Sequence, residues 1–465
     1  MRDATAVSAG VGAGVEGDGV DRPVGSEVDL QPQRGGADVG GAEVDAGVAP
    51  RSGIDSWAVD YGLLDASGAL LGNPHHYRDP RTRAAVDRVQ ARIAPGELYR
   101  ITGLQHLDFN TIYQLAAADG TPQLEAARTL LLIPDLLAHW LTGSVGAEAT
   151  NASTTSLYDA STGAWSQPIL AALGLEPGLL PSLRCPGDAI GTLLPAAAAY
   201  TGLPEATPVT AVASHDTASA VVAVPAADRD FAYISCGTWS LAGLELDAPV
   251  LTSASRAANF TNELGIDGTV RYLRNIMGLW LLSESQRTWQ AKGPPVPAPR
   301  PARPGRAGQA VRRRGRPGLP GVPRPRRHSR PPRRVLRADR PDPARQPGRG
   351  GALHPGEPGP GTPSHPVSGS RTGGPGHQVV HLVGGGSRND LLCQLTADAT
   401  GLPVLAGPTE ATALGNVLVQ ARTHGLVDDR ADMRRLVART QHVRRYTPQG
   451  GQQPWVAAAG RIGLS

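Results

Sequence analysis

Five short stretches of this chain carry residue types that could do chemistry. In AVASHDTASAVVAVP (211–225), His215 and Asp216 end an apolar run and precede a helical one. A carboxylate on a short turn at a strand end faces the cleft in most α/β folds. There it can take a proton from a substrate hydroxyl; an acid that merely caps the following helix would look the same. SCGTWS (235–240) ends a strand with Gly237 and Thr238. Such a turn can offer backbone N–H groups and a hydroxyl to phosphate oxygens, or be an ordinary hairpin turn. VGGGSRND (383–390) sets three glycines between a strand and a helix, where backbone can approach a nucleotide closely. GIDSWAVDYGLLD offers Asp55, Trp57 and Asp60, carboxylates and a ring that could hold a polyol or be core and turn residues. LQHLDFNTIYQL (104–115) adds Gln105, Asn110 and Gln114, suited to sugar hydroxyls, with Asn110 as helix cap the plainer reading.

Several kinase chemistries are excluded. The one lysine, Lys292, is followed by Gly293 and preceded by no suitable loop, so no Walker A motif exists. The protein-kinase H-R-D and D-F-G signatures are absent.

The elements that must position these residues alternate. Ile54, Trp57, Val59 and Tyr61 begin a strand-like run, DASG (65–68) is a turn, and ALLG a short return strand. EAARTLLLIPDLLAHWLTG reads as one apolar-faced helix with Pro134 near its middle. PVTAVAS and DFAYISCGTWSLAGLEL read as buried strands around the small-residue helix TASAVVAV. YLRNIMGLWLLSESQRTWQ (272–290) has a helical apolar period. VVHLV, LPVLAG and two helical runs follow from 379. Strands alternating with helices predict an α/β class with a mixed or parallel sheet.

Composition divides the 465 residues into three textures. Residues 1–52 are Gly, Ala, Val, Asp and Glu with almost no large apolar side chain. Such a segment cannot bury enough apolar surface to offset its ordering entropy, and disorder is expected. Residues 293–376 are Pro, Arg and Gly, a composition that forbids helix interiors and central strands. That tract holds eighteen arginines against Asp339, Asp342 and Glu357, while the whole chain is only +4. The body is therefore acidic, which argues against nucleic acid as the main partner, and the tract lacks aromatic residues for base stacking. Three cysteines form no C-x-x-C, in keeping with a reducing cytoplasm. No signal peptide and no membrane-length apolar run is read.

Taken in order, the motifs say more than each does alone. IDSWAVDYGLLD, YRDPRT, FNTIYQL, IPDLLAHWLTG, TNASTTSLYD, VASHDTASAVVA, YISCGTWSL, NEL…LRNIMGLWLL and VGGGSRNDLLCQLTADATGLPVLAGPTEATALGN closely resemble the FGGY family of carbohydrate kinases. The match covers residues 53–291 and 377–449, about two thirds of the chain. SHDTASA, SCGTWSL and NIMGLW resemble the branch acting on L-rhamnulose rather than glycerol or xylulose kinases. The resemblance implies an α/β, two-domain actin-like ATPase (ribonuclease-H-like) fold with a cleft. It implies a sugar-binding domain over 53–230 and an ATP-binding domain over 231–465 interrupted by 293–376. It carries Asp216 over as general base, Ala58 (through its backbone), His215 and Thr217 as sugar contacts, and Thr238, Asn275 and Gly385 as ATP contacts. Ser283 stands where some relatives carry an ATP-contacting Gln, so that contact is not carried over. The implied reaction is Mg²⁺- and ATP-dependent phosphorylation of L-rhamnulose to L-rhamnulose 1-phosphate.

Two family features are missing. No apolar strand and Asp-x-Gly phosphate turn is read before residue 53, and the Arg/Pro/Gly tract replaces a helical segment of similar length. The expected fold is thus incomplete at its N-terminal hairpin and in a central segment. The abundance of Arg, Pro, Gly and Ala suggests GC-rich coding sequence read out of frame at 1–52 and 293–376. Weak or absent turnover follows as an expectation, since losing one positioned charge group costs ~3 kcal/mol, about 10²-fold in rate.

Overall fold

In the computed structural model, residues 5–8, 50–276, 278, 279, 284, 287, 288 and 379–461 are described. They build two sheets that repeat one pattern. In the first sheet, β1 (Thr5–Ser8) pairs parallel with β2 (Ser52–Asp55), and β2 with β10 (Pro208–Thr210). β10 in turn pairs antiparallel with β9 (Ala189–Thr192). In the second sheet, β11 (Ala232–Cys236) pairs parallel with β15 (Val380–Val383), and β15 with β16 (Val404–Ala406). β16 pairs antiparallel with β17 (Arg444–Tyr446). Each sheet therefore runs parallel, parallel, antiparallel from its first strand. β2 and β15 are buried at all four positions, as parallel strands covered on both faces must be.

The second sheet continues beyond β11 with three antiparallel strands. β12 (Ser240–Leu246) forms a hairpin with β11, β14 (Val270–Ile276) pairs with β12, and β13 (Thr261–Leu264) closes the edge. Among the described residues, the first sheet has no counterpart of these three strands. Shorter pairs join β3 (Tyr61–Leu64) to β4 (Thr129–Leu132), β5 (Ala147–Glu148) to β8 (Leu183–Arg184), and β6 (Tyr158–Asp159) to β7 (Ala164–Trp165).

Three expectations change. Thr5–Ser8 is strand β1 and Ser52 lies in β2, so disorder over 1–52 does not hold for those residues, and a strand does precede residue 53. Residues 1–4 and 9–49, and the tract 293–376, lie outside the described residues. The single helix read over 125–143 is a strand and a helix: TLLL pairs with β3, and Pro134 opens Ile133–Thr142. Its missing N–H and fixed φ suit the first helical turn and not the middle. Tyr272–Ile276 belongs to β14 rather than to a helix. Cross-strand pairing to β12 and β13 overrides the local period there.

The core that joins the sheets is a helix crossing. Asp216–Val222 packs against Ala411–Thr423, and Ala218, Val221, Leu418 and Val419 are buried between them. The small residues of TASAVV permit close approach. A Cβ added at Gly415 would stand 1.8 Å from the backbone oxygen of Ser219, so the two helices can touch only through a glycine. Gly415→Ala is expected to lower stability by about 1–3 kcal/mol, read as a fall in the urea midpoint. An unchanged midpoint would contradict this packing.

Candidate active site

The site is built where β2 and β10 end. Past Asp55, the Ser56 amide donates to the Ser214 carbonyl (2.9 Å), and the Asp216 amide donates to the Ser56 carbonyl (2.9 Å). This short parallel bridge continues the sheet into the His215–Asp216 turn. His215 is the N-cap and Asp216 the first residue of its helix. Thr217 Oγ1 donates to Asp216 Oδ1 at 3.1 Å, and His215 Nε2 lies 3.5 Å from the same oxygen. Thr412 Oγ1, on the crossing helix, donates to the Asp216 carbonyl (3.1 Å). Among the described residues, Oδ2 of Asp216 has no hydrogen-bond partner. The side chain is 45% exposed, yet protein surrounds it, and this burial raises its pKa while Thr217 and Arg271 oppose the shift. A carboxylate open to solvent on one oxygen, held on the other and lifted in basicity is suited to take a proton.

A second carboxylate organises the turn. Glu148, 1% exposed, accepts from the Thr150 amide (2.9 Å), the Thr150 hydroxyl (2.6 Å) and the Asn151 amide (3.2 Å). It also accepts from the Ser214 amide (3.0 Å) and hydroxyl (2.6 Å). The Thr150 hydroxyl oxygen in turn receives the His215 amide (3.3 Å). Burial raises the pKa of Glu148 while these donors oppose it. Asp135, buried beside it, is pushed up to about 8, first by burial and then by the Glu148 charge. Asp135 accepts from the Glu148 amide (3.1 and 3.2 Å), so the two carboxyl groups share one buried hydrogen-bonded pocket. Sequence reasoning passed over Glu148. The signal was there: an acid just before TNAST, in a segment with no other charge.

Other residues fall into place differently from the expectation. Asp60 is 1% exposed and spent internally, accepting from Trp57 Nε1 (2.8 Å), the Tyr77 amide (3.1 Å) and Gln114 Nε2 (3.0 Å). Trp57, Asp60 and Gln114 thus brace the loop after β2 and do not present a polyol site. Within that loop Val59 has φ of 69°, a strained position for a β-branched residue. It is held there by Thr111 Oγ1, which donates to its carbonyl (2.7 Å). The half-buried Ala58 sits directly before it, two residues from the Ser56 bridge. Asn110 occupies the N-cap of Thr111–Ala118 without a capping bond, and its amide instead donates to Ser156 Oγ (2.9 Å). Gln105 Oε1 accepts from the backbone and side-chain amides of Asn275 (3.2 and 3.3 Å).

Thr238, Asn275 and Gly385 gather at one end of the second sheet. Thr238 is exposed in the β11–β12 turn, and Asn275 pairs with Leu241 just past that turn. Gly384 and Gly386 pack against Cys236, where a Cβ would meet its carbonyl oxygen at 2.9 Å and its sulfur at 2.3 Å. At Gly385 nothing lies within 4 Å of an added Cβ. The flanking glycines seat the turn, and the middle one faces open space. A cavity of 560 Å³ borders this turn at Ser387 and Arg388. A larger one, 680 Å³, lies between Arg92, Asp119, Arg128 and Leu175 and touches none of the site residues.

Asp55, on β2, is 1% exposed. Asn416 Nδ2 donates to its Oδ2 (2.6 Å), and its Oδ1 has no hydrogen-bond partner. Burial first, and the nearby Asp216 charge, push its pKa up to about 6. The folded protein keeps that proton up to about pH 6, whereas the unfolded chain releases it near 3.8. Stability from this group therefore falls as pH rises between those values. Asp55→Asn is expected to stabilise the fold above pH 6, by about 3 kcal/mol at most, and to change it little below pH 4. An equal melting temperature at pH 7.5 would contradict this. Glu148→Gln, which leaves one buried donor facing an amide, is expected to cost about 2 kcal/mol; a loss under ~0.5 kcal/mol in urea unfolding would contradict the hub.

Comparison with known proteins bears on the whole arrangement. Residues 52–223 match the model for the FGGY family of carbohydrate kinases, N-terminal domain, and residues 232–303 and 369–424 match its C-terminal domain. The chain is 40% identical over 429 residues to a rhamnulokinase of Bacteroides thetaiotaomicron, covering 87% of this chain and 83% of that protein. It is 39% identical over 397 residues to a rhamnulokinase of Enterococcus faecalis, covering 81% and 76%. Among solved structures, xylulose kinase from Lactobacillus acidophilus superimposes with TM-score 0.63 at 16% identity, over 90% of this chain and 85% of that one. Plasmodium falciparum glycerol kinase with ADP gives TM-score 0.60 at 13% identity, over 90% and 83%. These two show the shared fold, the two-domain actin-like, ribonuclease-H-like architecture. With both domain models matched in order and relatives aligned along most of its length, this chain belongs to the FGGY family of carbohydrate kinases.

Proposed function

We propose that this chain transfers the γ-phosphoryl group of ATP to the 1-hydroxyl of L-rhamnulose. The observation that carries the reading is Asp216: one oxygen held by Thr217 and faced by His215, the other free, at the end of the first sheet. The choice of ketose rests on the rhamnulokinases to which the chain is 37–40% identical. On this reading 53–230 binds sugar and 231–465, interrupted by 293–376, binds ATP.

Asp216 Oδ2 accepts the proton of the sugar's 1-hydroxyl. The oxygen attacks the γ-phosphorus in line, the bond to the β-phosphate oxygen breaks, and ADP leaves. Such transfer depends on positioning and charge neutralisation more than on covalent help. Ala58 meets the sugar through its backbone, and His215 borders the sugar beside Asp216. Thr217 acts through its bond to Asp216 and borders the same hydroxyl. Thr238 and Asn275 bind the nucleotide, with Gly385 opening toward its adenosine side. Magnesium accompanies the ATP phosphates in such reactions. Among the described residues no group of three or more His, Cys, Asp or Glu side chains stands ready to hold a metal ion. The reaction is placed in the cytoplasm, in keeping with three unpaired cysteines. No helix among the described residues is long and apolar enough to cross a membrane.

ADP release measured against a panel of ketoses tests the reading. L-Rhamnulose is expected to give the highest kcat/KM, with L-fuculose and D-xylulose at least tenfold lower, and Asp216→Asn to reduce turnover by about 10³-fold. Equal use of L-fuculose would overturn the substrate, and full activity of Asp216→Asn would overturn the base.

A further inference from the structure

His215 stands between the reacting carboxylate and a buried ion pair. β13 and β14 place Glu263 directly opposite Arg271. Arg271 is wholly buried and Glu263 is 5% exposed. Arg271 Nε donates to the Leu264 carbonyl (2.9 Å), and its Nη2 lies 3.1 Å from Glu263 Oε2. The same Nη2 stands 3.0 Å from His215 Nδ1. Glu263 Oε2 is itself 3.4 Å from Nδ1, and on the far side of the ring Nε2 is 3.5 Å from Asp216 Oδ1. His215 lies in the segment matching the N-terminal domain, Glu263 and Arg271 in that matching the C-terminal domain. The contact therefore crosses from one domain to the other.

A guanidinium can only donate. The Nδ1 that faces it must present a lone pair, so the proton of a neutral ring sits on Nε2, toward Asp216. Glu263 alone would do the opposite. A carboxylate 3.4 Å from Nδ1 draws a proton there, giving either the other tautomer or an imidazolium. The other tautomer sets a lone pair against Asp216 Oδ1. The imidazolium sets a full positive charge there and weakens Asp216 as a base. Burial first, and then Arg271, hold His215 well below its ordinary pKa, in the same sense as the geometry. The charged groups facing the ring are Glu263 from β13, Arg271 from β14 and Asp216 from its own helix; Glu148 is bound to Ser214, and Asp55 acts on Asp216.

We propose that Arg271 is a positioning residue for phosphoryl transfer: it donates to His215 Nδ1 across the domain boundary and keeps the ring neutral with its proton on Nε2, so that His215 faces Asp216 as an N–H and not as the imidazolium that would weaken it more as a base. This rests on Asp216 being the base.

Nitrogen-15 NMR of the full chain with labelled histidine, assigned with His215→Gln, reads the ring directly. At pH 7 the unaltered protein is expected to show Nδ1 unprotonated and Nε2 protonated. A protonated Nδ1 would overturn the proposal without any further variant. Arg271→Gln is expected to move a proton onto Nδ1 and to lower kcat about tenfold or more, with the KM for ATP within about twofold. Glu263→Gln should retain the Nε2–H form. An Arg271→Gln protein with the ring state unchanged would also overturn the role. Because the ring state is read without turnover, it is separate from the base assignment, which fails only if Asp216→Asn keeps its activity.

Discussion

The site depends on one buried carboxyl group. Glu148 sits beneath the Ser214–His215–Asp216 turn and takes five donors from the two segments that meet there. A carboxyl group so deep is tolerated because its oxygens are filled by hydrogen bonds. Those bonds fix the backbone from which Asp216 projects. The Ser56 bridge then ties the turn to the first sheet, and Thr412 ties it to the second domain. Asp216 is held by its backbone and by one oxygen, which leaves the other for chemistry.

The two sheets divide the work. The first ends in the turn that carries Asp216, the proposed base. The second ends in the Gly237–Thr238 turn, across which Ser240 Oγ donates to Cys236 Sγ (3.2 Å), and in the Gly384–Gly386 turn, whose outer glycines pack on Cys236. Polar ties join the segments matched to the two domain models: Gln105 to Asn275, Tyr77 to Trp239, Gly103 to Asn262, Asp55 to Asn416, and His215 to Arg271. The helix crossing at Gly415 adds the apolar contact.

Much of this was legible in the residues. A carboxylate on a short turn after an apolar run marked Asp216, which does open a helix at a strand end, and three glycines after VVHLV marked the turn that follows β15. What the residues hid were partnerships between distant segments. Asp55, Trp57 and Asp60 read alike as polar groups near a strand, yet Asp60 is consumed by Trp57, Tyr77 and Gln114 while Asp55 keeps a free oxygen. Glu263 and Arg271 stand eight residues apart in a stretch with no chemical motif of its own. Only the antiparallel pairing of β13 and β14 sets them face to face. TLLL was absorbed into a helix because Leu runs suit either state, and the partner strand Tyr61–Leu64 decides between them. The strand Thr5–Ser8 carried no signal of its own, since four residues without a large apolar side chain become a strand only by pairing with β2.

The central claim is that Asp216 sends a ketose's 1-hydroxyl against the γ-phosphorus of ATP. The most direct measurement is NMR of the product formed from L-rhamnulose labelled with carbon-13 at C1, with ATP as donor. The account predicts phosphorus–carbon coupling at C1 from the unaltered chain, growing about 10³-fold more slowly with Asp216→Asn. Phosphate on any other carbon, or coupling at C1 that grows as fast without the Asp216 carboxylate, would contradict it.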